Sequence, residues 1–276
     1  IKNNGFNIYE TLIELAPLGN KKTLDDDYIL QEIEKYGHET QLILISAVNY
    51  YNGQYYDLES IAKKAKEYNC IIGLDLAHAA GNVKLFLHDW GIDFAVWCGY
   101  KYLNGGPGAP GSAFVHKKYL ENDQIKRLEG WWGHHKDSRF DSLKRFLPSK
   151  TVESWQLSNP PILSMAALWS SLNIFEKVGI DAITLKSIKL TSYLYTLLNC
   201  IENINILTPK EQDKRGAQIS IQLKDFDKKT YSTLINNGYI CDYRSPDVLR
   251  IAPAPLYNSF QDVFNFSQFL NFLINA

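Results

Sequence analysis

The sequence predicts an α/β fold in which a large first domain is built on a mainly parallel sheet and a smaller α+β domain follows. Three observations carry this. Leu42-Ile43-Leu44-Ile45 and Ile71-Ile72-Gly73-Leu74 are short apolar runs, and between them Leu58, Ile61, Ala62, Ala65 and Tyr68 recur on one helical face, which makes a βαβ unit. A further apolar run, Asp93 to Trp97, follows after a stretch long enough for a crossover of one or two helical turns. After Pro148 and again at Pro160-Pro161 the pattern changes to long helical periodicities, which divides the chain into residues 1–155 and 156–276.

Taken in order, Asp25-Asp26-Asp27 followed by Tyr28, Ile29, Ile33 and Tyr36 predicts a capped amphipathic helix with its acids at the N-terminal end. Asp57 predicts the cap of the βαβ helix. Ser112 to His116 reads as a strand, with His116 at its end. In the second domain, Leu168, Leu172 and Phe175 fit one helix face, and Leu185, Ile188, Leu194, Leu197, Leu198 and Ile201 fit another. Ile219, Ile221 and Leu223 alternate with Ser220 and Gln222 as a strand, Val248 to Ala252 is another, and Val263, Phe266, Phe269, Leu270 and Leu273 mark a closing helix.

Composition narrows the partners. The 276 residues are 45% hydrophobic and 21% charged with a formal net charge of -1, which suits a folded chain and gives no reason to expect a nucleic-acid or membrane surface. The clusters Lys63-Lys64 with Lys66, and Lys186 with Lys189, read as solvated helix faces. No apolar run approaches the roughly 18 residues of a membrane span. The four cysteines show no metal-like spacing and no secretory signal precedes them, so reduced thiols and a cytoplasmic location are expected.

The chemistry is expected between Leu74 and Ser112. Asp75 ends one strand and Lys101 follows another, and parallel strands bring their carboxyl ends to one edge of a sheet. Lys101 sits among Trp97, Cys98, Tyr100 and Tyr102 and precedes the turn Gly105-Gly106-Pro107-Gly108. Such a lysine is either a surface residue leaving a strand or an amine desolvated for Schiff-base chemistry. An acid and a lysine so arranged meet the two needs of a pyridoxal-phosphate enzyme, a covalent anchor and a partner for the pyridine nitrogen. Arg250, flanked by Leu249 and Ile251, is either paired with a structural acid or aimed at a ligand carboxylate. Gly130-Trp131-Trp132-Gly133-His134-His135 reads as a packed aromatic corner, without the second ligand pair that a metal would need.

Six stretches, LDLAHA (Leu74 to Ala79), LHDWGIDFAVWC (Leu87 to Cys98), YKYLN (Tyr100 to Asn104), GWWGH (Gly130 to His134), SNPPI (Ser158 to Ile162) and APAPLYNSF (Ala252 to Phe260), together resemble kynureninase. The resemblance runs from about Leu42 to the C-terminus. It implies the fold-type-I architecture of pyridoxal-phosphate enzymes and hydrolysis of L-kynurenine, or its 3-hydroxy derivative, to L-alanine and anthranilate or 3-hydroxyanthranilate. It further implies Lys101 as anchor and base, Asp75 on the pyridine nitrogen, and His78 and Ser46 close to the cofactor. Tyr100 would serve in phosphate contact and proton delivery, and Arg250 would hold the substrate carboxylate. Trp131 and Asn159 would hold the cofactor phosphate of the neighbouring subunit in a homodimer with shared sites.

In that family the ring-stacking residues and the phosphate loop of the same subunit lie N-terminal to the region represented here. Residues 1–41 carry no counterpart, so the sequence is expected to be part of a longer chain. Two other readings remain: a different pyridoxal enzyme of this fold, such as a cysteine desulfurase or class-V aminotransferase, which would share Asp75 and Lys101, and an inactive kynureninase-like remnant.

Overall fold

The computed structural model describes residues 3, 5–19, 21–122, 124–141, 144–224 and 228–275. A single turn, α1 (Ile8–Thr11), precedes α2 (Asp26–Tyr36), which buries Ile29 and Ile33, one turn apart on the same face. The expected cap at Asp25 is not made, because that carboxylate pairs with Lys21. Asp26 is used instead to tie elements together, accepting from the Asp57 backbone N–H at 3.1 Å and pairing with Lys214 at 2.5 Å.

The predicted βαβ unit is present as β1 (Leu42–Ser46), α3 (Leu58–Glu67) and β2 (Ile71–Asp75), with β1 and β2 parallel and in register from Leu42 opposite Ile71 to Ser46 opposite Asp75. Asp57 caps α3 by accepting from the Ser60 N–H at 3.1 Å, and Leu58, Ile61, Ala62 and Ala65 form its buried face. A one-turn helix, α4 (Leu87–Trp90), ends at Gly91 in the left-handed conformation (φ 67°) and feeds β3 (Phe94–Cys98), parallel to β2. β4 (Gly111–Val115) returns antiparallel, so the sheet runs β1-β2-β3-β4 with three parallel strands and one reversed edge.

Gly73 marks a close approach within this sheet. A Cβ there would lie 2.2 Å from Cζ of Phe94 on the neighbouring strand. Gly73→Ala is therefore expected to lower the unfolding free energy by about 1–3 kcal/mol through overpacking. Urea denaturation checks this, and the loss should shrink in a Phe94→Leu background, where the crowding ring is gone.

The second half opens with α5 (Ile162–Val178) and α6 (Ile180–Leu198), separated at Gly179 (φ 81°). The sheet that follows is antiparallel throughout: β5 (Ile204–Ile206), β6 (Ile219–Leu223), then α7 (Lys228–Asn236), β7 (Asp242–Arg244) and β8 (Val248–Ile251), in the order β5-β6-β8-β7. The closing helix α8 (Phe260–Asn275) buries Val263, Phe266, Ser267 and Leu270.

Two expected helix faces differ. α6 buries Ile183, Thr184, Ser187, Leu190, Thr191, Leu194 and Leu198, whereas Leu185 and Ile188 face outward. Hydroxyls that donate to the helix's own carbonyls, such as Thr191 to Ser187 O at 2.9 Å, let polar residues share the buried stripe, so the apolar pattern alone misplaces it. On α5, Leu168 is buried but Leu172 is exposed; the buried Ser171 ties the helix to the first half, its hydroxyl donating to Leu103 O at 2.6 Å. The polar face of β6 is also covered: Ser220 is fully buried and donates to Tyr51 O at 2.6 Å. The four cysteines are free, and among the described residues no helix is long and apolar enough to cross a membrane.

Candidate active site

The carboxyl ends of β1, β2 and β3 and the edge of the second sheet surround one cavity of about 510 Å³, a size suited to a cofactor or small metabolite. Ser46, Val48 and Tyr50 come from the end of β1; Asp75, Ala77 and His78 from the end of β2; Lys101 and Tyr102 from the loop after β3. Gln218, Asp242, Arg244, Arg250 and Ala252 close the far wall. The parallel register explains the first two groups, since Ser46 lies opposite Asp75 on adjacent strands.

Asp75 Oδ1 accepts from the Ala77 backbone N–H at 2.8 Å, which fixes the carboxylate at the strand end. His78 packs between Tyr50 and Tyr102, with ring centroids 6.5 and 5.8 Å away, and among the described residues its buried Nδ1 has no hydrogen-bond partner. Burial, reinforced by the positive charges of Lys101 and Arg250, pushes the His78 pKa down to about 4, so the imidazole is neutral at pH 7. Burial likewise pushes the Tyr102 phenol up to about 12.

The His78 shift has a sign that can be checked. An unfolded histidine binds its proton near pH 6.5, whereas the folded one stays neutral until about pH 4. The stability associated with the neutral ring is thus complete above about pH 6.5 and is lost progressively as the pH falls towards 4. Unfolding free energies measured across this range should fall more steeply for the parent chain than for His78→Gln. Parallel curves would mean that the imidazole is not held neutral.

Lys101 is half-buried, three residues beyond β3, in a turn closed by Asn104 N–H to Lys101 O at 2.9 Å and Gly105 N–H to Gly99 O at 2.9 Å. Gly105 is required there, because a Cβ would meet Gly99 O at 2.7 Å and Ala109 Cβ at 2.8 Å. Arg250 is paired with an acid, the first of its two expected readings. Its Nε donates to Asp242 Oδ2 at 2.6 Å and its Nη1 to Tyr50 O at 2.5 Å, yet it lines the cavity.

Of the residues singled out in the sequence, Ser46, Asp75, His78, Lys101 and Arg250 meet at this cavity. Tyr100, Trp131 and Asn159 stand outside it. Tyr100 is exposed beside Cys98, whose thiol raises the phenol pKa through a hydrogen bond. Trp131 is exposed in an aromatic corner with Phe140 at 5.5 Å and the Arg139 guanidinium at 5.2 Å. Asn159 is exposed near the same corner, for the backbone at Gly130 approaches Leu157 so closely that a Cβ would lie 2.3 Å from the Leu157 Cα. Among the described residues no group of three or more His, Cys, Asp or Glu is placed to hold a metal.

Sequence reasoning missed Tyr50, Tyr102, Gln218, Asp242 and Arg244. A signal existed for two of them: Asp242 and Arg244 flank Tyr243 at strand spacing, just upstream of the strand carrying Arg250.

Known proteins resemble this chain both in sequence and in fold. Residues 183–270 match the kynureninase C-terminal domain. The chain is 46% identical over 268 residues to a kynureninase of Myxococcus xanthus, covering 96% of this chain and 63% of that protein. It is 44% identical over 270 residues to a kynureninase of Koribacter versatilis, covering 97% and 64%. It therefore spans less than two thirds of the length of these curated relatives. Among solved structures, a cysteine desulfurase from Thermococcus onnurineus superposes with a TM-score of 0.76 at 17% identity, over 93% of this chain and 65% of that one. A mutant of C-DES with glycine covalently linked to its pyridoxal-phosphate cofactor superposes with a TM-score of 0.75 at 14% identity, over 91% and 64%. The fold is thus that of the fold-type-I enzymes, and along almost its whole length the chain is similar in sequence to kynureninases.

Proposed function

We propose that this chain serves in pyridoxal-phosphate-dependent hydrolysis of L-kynurenine or its 3-hydroxy derivative to L-alanine and anthranilate or 3-hydroxyanthranilate. The observation that carries the reading is the meeting of Asp75, His78, Lys101 and Arg250 at one cavity. The residues fit the cofactor: a carboxylate and a half-buried amine line the same space, and the buried His78 Nδ1 lacks a partner among the described residues. Names of relatives and neighbours support it too, since the C-DES structure carries a glycine covalently linked to its cofactor.

When bound, the cofactor supplies an electron sink for carbanion chemistry. Lys101 would hold it, and the Lys101 Nζ would move a proton at the substrate Cα. Asp75 holds the proton on the pyridine nitrogen. Neutral His78 and Ser46 line the cofactor's position without adding charge. Arg250 binds the substrate carboxylate and so sets which Cα bond is aligned for cleavage. Water adds to the γ-carbonyl carbon, the Cβ–Cγ bond breaks, the acyl carbon leaves as the aromatic carboxylate, and Cβ takes a proton to give alanine. Tyr100, exposed outside the cavity, is given no part in these steps.

Trp131 and Asn159, exposed near one corner outside the cavity, suit an indole N–H and an amide offered to the phosphate of a second subunit in a homodimer. A division into large and small domains near residue 155, and a cytoplasmic setting, belong to the same reading.

The test is to add pyridoxal phosphate to the purified chain, record the visible spectrum, and then add L-kynurenine while following anthranilate fluorescence. A new absorption band with product release is expected. A band without product would overturn the kynurenine assignment for this chain, and no band would overturn its cofactor site.

A further inference from the structure

The charged cluster that this reading leaves unassigned lies at the edge of the second sheet. Asp242 and Arg244 are two residues apart on β7, so both face the cavity, while Tyr243 between them packs its ring on Tyr231 with centroids 5.6 Å apart. Asp242 pairs across the ladder with Arg250 on β8. Its Oδ2 accepts from Arg250 Nε at 2.6 Å and from Arg244 Nε at 2.9 Å. One carboxylate thus sits between two guanidinium groups. Arg250 is largely enclosed, its side chain 10% exposed, whereas Asp242 is 47% exposed.

The geometry limits what Arg250 can do. A guanidinium has five N–H donors. Asp242 takes the Nε donor and Tyr50 O takes one Nη1 donor. The remaining donors all lie at the Nη end, where the planar fork matches a carboxylate. Asp242 alone would also set a negative charge beside an arriving anion, and Arg244 cancels that charge.

We propose that Asp242 is a positioning residue of the carboxylate subsite, holding Arg250 by its Nε edge so that the Nη end is presented to substrate, with Arg244 as the counter-ion that keeps Asp242 from repelling it. This rests on the reading of Arg250 as the carboxylate ligand and adds the two residues that make it selective for an anion.

The test uses a probe that needs no cofactor chemistry: 4-(2-aminophenyl)-4-oxobutanoate, which has the kynurenine skeleton without the α-amine, and its neutral carboxamide as control. Binding of both to the full chain is measured by calorimetry. Asp242→Ala is expected to weaken the carboxylate probe about tenfold, and Asp242→Asn, which keeps an acceptor for Nε, by about threefold or less. Arg244→Gln should weaken it about tenfold, more at low salt. The double variant Arg244→Gln/Asp242→Asn should recover to the level of Asp242→Asn, because the uncompensated charge has been removed. The carboxamide should bind alike to all of them, which a merely structural role would not produce.

Asp242→Ala binding within about twofold of the parent chain, or a double variant no tighter than Arg244→Gln, would overturn the proposal. So would a parent chain that binds neither probe or does not distinguish them. Failure of the spectral test with this binding pattern intact would instead remove only the cofactor reading.

Discussion

Under the proposed function, in which Lys101 both anchors the cofactor and moves the Cα proton, Lys101→Ala is expected to reduce anthranilate release from L-kynurenine by about 10⁴-fold or more, the upper end of what one positioned acid–base group supplies. The absorption band formed with pyridoxal phosphate should disappear in the same variant. Lys101 is half-buried in a turn held by backbone hydrogen bonds, including its own carbonyl's bond to Asn104, so its side chain can be shortened without dismantling the loop. Circular dichroism and urea midpoints near those of the parent chain would separate lost chemistry from lost folding. Partial rescue by a small primary amine added to Lys101→Ala is also expected. Retention of the band would place the anchor elsewhere.

The second large effect belongs to Asp75. Asp75→Asn keeps an oxygen for the Ala77 N–H, now 2.8 Å from Oδ1, and so should preserve the strand end. It removes the charge proposed to hold a proton on the pyridine nitrogen. The expected outcome is a fall in kcat of about 10²–10⁴-fold with a much smaller change in KM, read by steady-state anthranilate fluorescence. Asp75→Glu should recover part of the loss. Activity of Asp75→Asn within about tenfold of the parent chain would remove Asp75 from the proposed role.

Much of this architecture is legible in the residues. The βαβ unit follows from two short apolar runs and a capped amphipathic helix, and Asp75 and Lys101 can be placed at one sheet edge because parallel strands leave little choice. The half-site on the second sheet is less legible. Arg250 stands out as a charge among apolar neighbours, but its partner Asp242 belongs to a three-residue strand, and cross-strand register is not written in local periodicity. Ser220 is a similar case. Its alternation with Ile219 and Ile221 puts it on the other face of the strand, and only the tertiary fold shows that face covered by the loop after β1.

That loop has a mechanical consequence. Tyr50 O receives Arg250 Nη1 at 2.5 Å and Gln218 Nε2 at 2.9 Å, Tyr51 O receives Ser220 Oγ at 2.6 Å, and Asn52 O receives Thr208 Oγ1 at 2.5 Å. Three consecutive carbonyls of the first half are therefore riveted to the second sheet, and this linkage begins four residues after Ser46. A rocking motion of the second sheet cannot hinge at this seam without breaking several of these bonds together. A displacement of Arg250 would therefore be passed through Tyr50 to the loop that leaves the strand end beside Asp75.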